Sequence, residues 1–201
     1  PGLLRNSSGS ITIGTSAGNS LTYMNGAAII IEGGNVNIAG RLSPNSGTSV
    51  GSYSQTGGIL TVNIFGSTST SRAPFEINSG VPFTMSGGTI IIQRASSNAA
   101  DYINLSSTSS VTGGTLQIGN SSTPASQTIR INSLVPLYNL AVNATNSPIV
   151  QLVTNGLTVI KDITIAGGTL NANNLNISIG GNWSNSGTFS PGTGTLSFIG
   201  T

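Results

Sequence analysis

Three stretches of the sequence carry the same signature: residues 57–62 read GGILTV, residues 87–92 read GGTIII and residues 113–118 read GGTLQI. In each, the second and fourth residues after the second glycine are apolar. Alternation with a period of two predicts a β-strand with one buried face. The shared Gly-Gly start predicts that these strands occupy equivalent positions in a repeated unit.

Further copies of the signature extend the repeat over the whole chain. Gly-Gly pairs also begin residues 33–38 and 167–172, and degenerate copies follow Gly9, Tyr138 and Gly194. The equivalent positions are 9, 34, 58, 88, 114, 138, 168 and 194, with steps of 24–30 residues. One constant strand with loops of variable length is typical of the coils of a solenoid.

A second apolar column precedes the glycines, for example at Ile29 and Ile31 or at Phe83 and Met85. Each unit therefore contains at least two strands that meet at a glycine corner, and the polar remainder of the unit has room for a third strand. Glycine suits such a corner because it adopts positive φ and lets adjacent coils approach closely. The predicted corner glycines are Gly34, Gly58, Gly88, Gly114 and Gly168.

These patterns predict an all-β fold, a right-handed parallel β-helix (β-solenoid) of about eight coils of 24–30 residues. A unit of this length cannot bury its apolar face alone, so stacked coils have to share one core. We expect residues 1–201 to form a single β-solenoid domain, a segment of a longer repeat protein. A β-sandwich is the main alternative, but its strands do not repeat one Gly-Gly signature.

The composition argues against several functions. Charged residues make up 5% of the chain, and the net charge is +2. The six basic residues are scattered, so no nucleic-acid or anionic-membrane footprint is predicted. The chain has no Cys and no His, which excludes thiolate sites, catalytic triads and His-metal sites. No apolar stretch approaches the roughly 20 residues of a transmembrane helix.

Only four residues can supply carboxylates: Glu32, Glu76, Asp101 and Asp162. Glu32 and Glu76 fall in different coils, and we expect them to be solvated surface acids and not a catalytic pair. The Gly-Gly pairs also lack the Asp that calcium-binding repeats carry in every coil. The sequence therefore predicts no enzyme activity, no catalytic residue, no metal site and no cofactor.

The aromatic residues have two possible roles. They could line a glycan-binding face, for which Trp183 and Tyr102 are the candidates, or they could fill the core and stack between coils. The second role is the favoured interpretation. Asparagines at turns could form hydrogen-bonded ladders between coils or simply satisfy their own turns.

Residues 155–201, NGLTVIKDITIAGGTLNANNLNISIGGNWSNSGTFSPGTGTLSFIGT, resemble the repeats of very large cell-surface proteins of Bacteroidetes. Residues 53–62, YSQTGGILTV, and 137–145, LYNLAVNAT, look like the same family. Such proteins are typically exported by the type IX secretion system. The resemblance implies an extracellular adhesin or filament protein with a β-helical stem, and it brings no catalytic motif.

Three functions follow from the sequence. The first is a non-catalytic extracellular stalk or filament segment, whose partners are further coils of the same or a neighbouring chain, end to end. The absence of a charged or helical cap at either end favours it. The second is a carbohydrate-binding or carbohydrate-cleaving β-helix that contacts surface glycans. The third is an ice- or mineral-binding surface, which needs outward columns of threonine. The threonines of the repeat do not form one continuous outward column: Thr12, Thr61, Thr89, Thr115, Thr169 and Thr195.

Overall fold

The computed structural model describes residues 2–200, which form 22 β-strands connected by turns and loops. In chain order, the strands of the first four coils are β1 (Leu3–Asn6), β2 (Ser10–Ile13) and β3 (Leu21–Tyr23); β4 (Ala28–Ile31), β5 (Asn35–Ile38) and β6 (Leu42–Pro44); β7 (Ser52–Gln55), β8 (Ile59–Val62) and β9 (Phe75–Ile77); β10 (Phe83–Ile92) and β11 (Tyr102–Asn104). Those of the following coils are β12 (Ser109–Ile118) and β13 (Thr128–Ser133); β14 (Asn139–Val142) and β15 (Ile149–Leu152); β16 (Leu157–Val159), β17 (Ile163–Ile165) and β18 (Thr169–Asn171); β19 (Ile177–Ile179), β20 (Trp183–Asn185) and β21 (Thr188–Ser190); and finally β22 (Leu196–Phe198).

Each strand pairs in parallel with the equivalent strands of the neighbouring coils, which places the strands on three faces. The first face holds β1, β4, β7 and the first halves of β10 and β12, and farther along the axis β16, β19 and β22. The second face holds β2, β5, β8, the second halves of β10 and β12, β14, β17 and β20. The third face holds β3, β6, β9, β11, β13, β15, β18 and β21. The predicted parallel β-solenoid of about eight coils is confirmed.

The core is built from columns of like residues that point inward. On the second face Val36 pairs with Leu60, Leu60 with Ile90, and Ile90 with Leu116. All four are at most 3% exposed. Burying one aliphatic side chain of this size stabilises a fold by about 1.5–3 kcal/mol. The alternation after the Gly-Gly pairs therefore marks the inward column, as the sequence predicted.

The repeat predicted after residue 142 was wrong in phase. Leu140 pairs with Ile163 on the second face, whereas Leu170 pairs with Val150 on the third. Gly168 thus lies at a different corner, against Pro148, although its φ of 70° is that of a corner glycine. The reason is that the last coils are shorter than 24 residues. Asp162, for example, forms a hydrogen bond with Asn182 of the next coil, which is only 20 residues later in the chain.

The other four predicted corner glycines form one column between the first and second faces. Their φ angles are 64° at Gly34, 66° at Gly58, 77° at Gly88 and 92° at Gly114. Each lies against the backbone of the coil before it. At Gly58 an added Cβ would lie 2.7 Å from the carbonyl oxygen of Gly33, so a side chain does not fit.

Aromatic rings fill the core of the third and fourth coils. Phe75 stacks on Tyr102 with ring centroids 5.0 Å apart, and Tyr102 is only 1% exposed. The less favoured alternative, in which Tyr102 contacts glycans at the surface, is therefore wrong, because the inward position of Tyr102 on β11 buries the ring. The favoured interpretation, in which aromatic rings fill the core, is confirmed at this residue. The described strands and turns include no helix that could cross a membrane.

Candidate functional surface

One edge of the solenoid, where the second face turns into the third, carries an arginine in each of four successive coils. Arg41 lies between β5 and β6, Arg72 between β8 and β9, Arg94 between β10 and β11, and Arg130 in β13. We call these four residues the arginine edge. Parallel strands are about 4.8 Å apart, so the four positions span roughly 15 Å along the axis.

Except in the coil of Arg41, where only residues 39–41 separate β5 from β6, long polar loops form this edge, and hydrogen bonds between coils hold them together. The backbone of Asn63 has a positive φ of 60°, and its side chain donates a hydrogen bond to the carbonyl of Arg94 at 2.7 Å. The hydroxyl of Thr123, in the fifth coil, donates back to the carbonyl of Gln93 in the fourth coil at 2.7 Å. Hydrogen bonds therefore join these loops from coil to coil, although their sequences share no motif.

Glu76 lies beneath the arginine edge on β9 and is only 5% exposed. Its carboxylate accepts one hydrogen bond from the guanidinium of Arg72 at 2.8 Å and another from the backbone N–H of Ala73 at 2.9 Å. The prediction of a solvated acid was wrong at this position. Its carboxylate stabilises the end of the long loop 63–74, where the chain enters the third face.

Asp101 has the same role in the next coil and is fully buried. It accepts hydrogen bonds from the backbone N–H and the hydroxyl of Ser96, and from the backbone N–H of Arg130, each at 2.7 Å. Burial raises the pKa of Asp101, and the hydrogen bonds from Ser96 and Arg130 oppose that rise. The carboxyl group thus joins its own loop to the following coil.

The structure does not bring Glu32 and Glu76 together as a catalytic pair. Glu32 follows β4 on the first face and binds Arg5 through two hydrogen bonds of 2.9 and 3.0 Å. Glu76 is on the third face and binds Arg72. Asp162 bonds to Asn182 at the far end of the stack. Within residues 2–200, no three acidic side chains form a group that could hold a metal ion.

Two members of the arginine edge have guanidinium groups that bind no partner among residues 2–200. Among the described residues, no salt bridge or hydrogen bond joins the side chain of Arg41 or Arg94 to another group. The Nε atom of each is buried without a partner. A guanidinium group without an anion remains a strong donor to a carboxylate, sulfate or phosphate group.

Phe65 is an exposed aromatic residue of the same edge that the sequence reasoning missed. Phe65 is 50% exposed, and the next residue, Gly66, lies beside the side chain of Arg94. A Cβ on Gly66 would be 3.7 Å from Cδ of Arg94, so the arginine side chain runs beside this turn. The available signal was an aromatic residue outside the alternation, three residues after the end of strand β8.

Trp183, the other aromatic residue predicted to contact glycans, is half-buried in the inward column of β20. It pairs with Ile163 and packs edge-on against Phe189, with ring centroids 4.9 Å apart. The indole therefore covers the core of the eighth coil. A glycan contact at Trp183 stays a prediction.

Comparisons of the chain with protein-family models, with curated proteins and with solved structures found no match.

Proposed function

We propose that this chain is a non-catalytic extracellular module, a stalk or filament segment with an adhesive surface in a bacterial surface protein. The observation that carries the proposal is the parallel stack itself, in which one core runs through every coil. In a solenoid of this kind each coil is stabilised by its neighbours, so the product is a stiff rod whose length grows with the number of coils.

The polar side chains support a structural role because many of them bind backbone groups of adjacent coils. Asn139 accepts a hydrogen bond from the N–H of Asp162 at 3.1 Å, and Asp162 accepts one from the N–H of Asn182 at 2.7 Å. Asn139 also donates to the carbonyl of Gly114 at 3.1 Å. This ladder spans four coils at the corner that glycines form earlier in the chain.

The partners that fit this proposal are further coils of the same or a neighbouring chain, stacked end to end. Among the described strands, β1 pairs only with β4, and β3 only with β6. Between these two strands an apolar hollow of about 240 Å³ is lined by Leu4, Leu21, Tyr23 and Ile29, among others. Another coil would continue both sheets and fill this hollow.

The resemblance to repeats of Bacteroidetes surface proteins supports the extracellular location, with export by the type IX route as part of the proposal. Antibodies raised against the purified chain test it directly on intact and on permeabilised source cells. We expect intact cells to be labelled as strongly as permeabilised ones. Labelling only after permeabilisation would contradict the proposal.

The shape of the full-length parent protein provides the second test. Negative-stain electron microscopy should show thin rods or fibres in which this segment forms part of the shaft, located with the same antibody. Compact particles, with the antibody bound to a globular domain, would contradict the role as a stalk.

A further inference from the structure

We propose that the arginine edge is a binding site for an acidic polysaccharide, whose carboxylate or sulfate groups bind the guanidinium groups of Arg41 and Arg94. This inference rests on the proposed adhesive function and names the ligand class for it. The site comprises Arg41 and Arg94 as anion-binding groups and Phe65 as the surface for a sugar ring.

The distribution of charge is the first argument. Arg5 and Arg72 are paired with Glu32 and Glu76, whereas Arg41 and Arg94 have no anionic partner among the described residues. The two acids of this edge, Glu76 and Asp101, are 5% and 0% exposed, while the arginines are partly exposed. Positive charge therefore faces the solvent here, and the compensating negative charge lies beneath it.

The spacing is the second argument. Arg41 belongs to the second coil and Arg94 to the fourth, so their positions differ by roughly 10 Å along the axis. An extended chain of pyranose rings advances by a similar distance over two sugars. A polysaccharide with an anionic group on successive or alternate sugars can therefore run parallel to the axis and reach both guanidinium groups.

An exposed aromatic residue belongs to the coil between those of the two arginines. Phe65 is in the third coil, and its backbone N–H donates to the carbonyl of Ala39 in the second coil at 3.0 Å. Its ring is half-exposed. The apolar face of a sugar ring packs on such a surface, as binding sites combine aromatic side chains with a few polar groups that fix orientation.

The site is also preorganised. Asn63 holds the start of the Phe65 loop to the carbonyls of Arg94 and Ala95, at 2.7 and 3.1 Å. Glu76 holds the end of the same loop through Arg72 and Ala73. Because the loop is already ordered, binding loses less conformational entropy than it would with a flexible loop.

Calorimetric titration of the purified chain tests the proposal. The ligands are polygalacturonate for carboxylates, dextran sulfate for sulfates, neutral dextran, and duplex DNA as an anionic polymer without sugar rings that can stack. We expect binding to at least one of the two acidic polysaccharides, with the stronger one identifying the anion, and none to neutral dextran. No binding to either acidic polysaccharide, or equal binding to neutral dextran, would overturn the proposal.

Variants localise the site. The double variant Arg41→Gln/Arg94→Gln should weaken binding of the acidic polysaccharide at least about tenfold, since two charge-assisted contacts are lost. Phe65→Ala should weaken it severalfold but leave any weak binding to DNA unchanged. The control is Lys161→Gln, which removes an exposed cation from a distant coil and should have little effect. Equal losses in the control and in the single variant Arg94→Gln would show that only net charge matters, which would overturn the site.

The outcome also separates this inference from the proposed function. Loss of cooperative melting, followed by circular dichroism, identifies a variant that has failed to fold. If the double glutamine variant fails to fold, Arg41→Lys/Arg94→Lys is measured in its place. Lysine keeps the charge but lacks the planar guanidinium group. If intact cells are labelled but the purified chain binds no acidic polysaccharide, the proposed stalk function stands and only the proposed binding site is contradicted. If the chain binds an acidic polysaccharide but intact cells are not labelled, the extracellular location is contradicted.

Discussion

The ring of Phe83 stacks on the ring of Tyr53 in the preceding coil, with centroids 5.2 Å apart and planes 7° from parallel. The two side chains occupy equivalent inward positions on β10 and β7. Below them the hydroxyl of Tyr53 donates to the side-chain oxygen of Gln55 at 2.6 Å. The amide of Gln55 donates in turn to the carbonyl of Gly57 at 3.2 Å, so even this buried polar group is satisfied.

Replacing Phe83 should destabilise the whole stack. Phe83 is 2% exposed, and Phe83→Ala should lower the free energy of unfolding by about 3–5 kcal/mol because a cavity replaces the ring. Urea unfolding followed by circular dichroism measures this. Phe198→Ala is the control, since Phe198 is 63% exposed and should change stability by less than about 0.5 kcal/mol. Equal effects of the two substitutions would contradict the inward column.

The corner glycines should differ in their tolerance to alanine. Gly9 and Gly88 have similar φ angles, 71° and 77°, but a Cβ at Gly9 meets nothing within 4 Å. At Gly88 it would overlap the Gly57 carbonyl group, whose carbon is 2.7 Å away.

Gly9→Ala should therefore cost only the left-handed backbone strain, about 1–2 kcal/mol. Gly88→Ala should cost clearly more, because the coils have to separate locally. Thermal unfolding of the two variants provides the comparison. A smaller loss for Gly88→Ala than for Gly9→Ala would show that close approach of the coils is not what requires glycine.

The two arginine–glutamate pairs should contribute unequally to stability. The side chains of Arg72 and Glu76 are 24% and 7% exposed, whereas those of Arg5 and Glu32 are 59% and 33% exposed. Arg72→Met leaves a buried carboxylate without its cation and should cost more than about 2 kcal/mol. Arg5→Met breaks an exposed, solvent-screened pair and should therefore cost clearly less than Arg72→Met. Urea unfolding midpoints at neutral pH measure both losses of stability. A larger loss for Arg5→Met than for Arg72→Met would contradict the prediction.

Asp101 should make stability fall with rising pH. Burial raises its pKa in the folded chain above the ordinary 3.8, so the folded state holds this proton more tightly than the unfolded state. The contribution is fully present below the unfolded pKa and is lost as pH rises through the folded value.

Asp101→Asn should remove this decline, so that its unfolding free energy varies less with pH over the range from about pH 4 upward. The variant also loses acceptor capacity toward Ser96 and Arg130, so it should be less stable than the wild type at every pH. Asp162→Asn, at a partly exposed carboxylate, is the matched control. A pH profile of Asp101→Asn parallel to that of the wild type would contradict the assignment.

The repeat was predictable where each coil uses the same corner. From residue 33 to residue 118, a Gly-Gly pair precedes two inward aliphatics in each coil, and the register follows these positions. Beyond Val142 the prediction failed because a Gly-Gly pair marks any tight corner, not one particular corner. Gly168 precedes strand β18 on the third face, whereas Gly180 and Gly181 precede strand β20, which contains Trp183, on the second face.

The amino-acid sequence by itself determined the class of fold, because period-two alternation and glycine corners are local properties that stacking simply repeats. It also determined that His and Cys chemistry is absent. Only the tertiary structure decided that Tyr102 and Asp101 are buried, and that Gly66, the residue after Phe65, lies beside Arg94. Those relationships join loops of different length in successive coils, and the path of a loop depends on the coil beneath it, which local sequence does not encode.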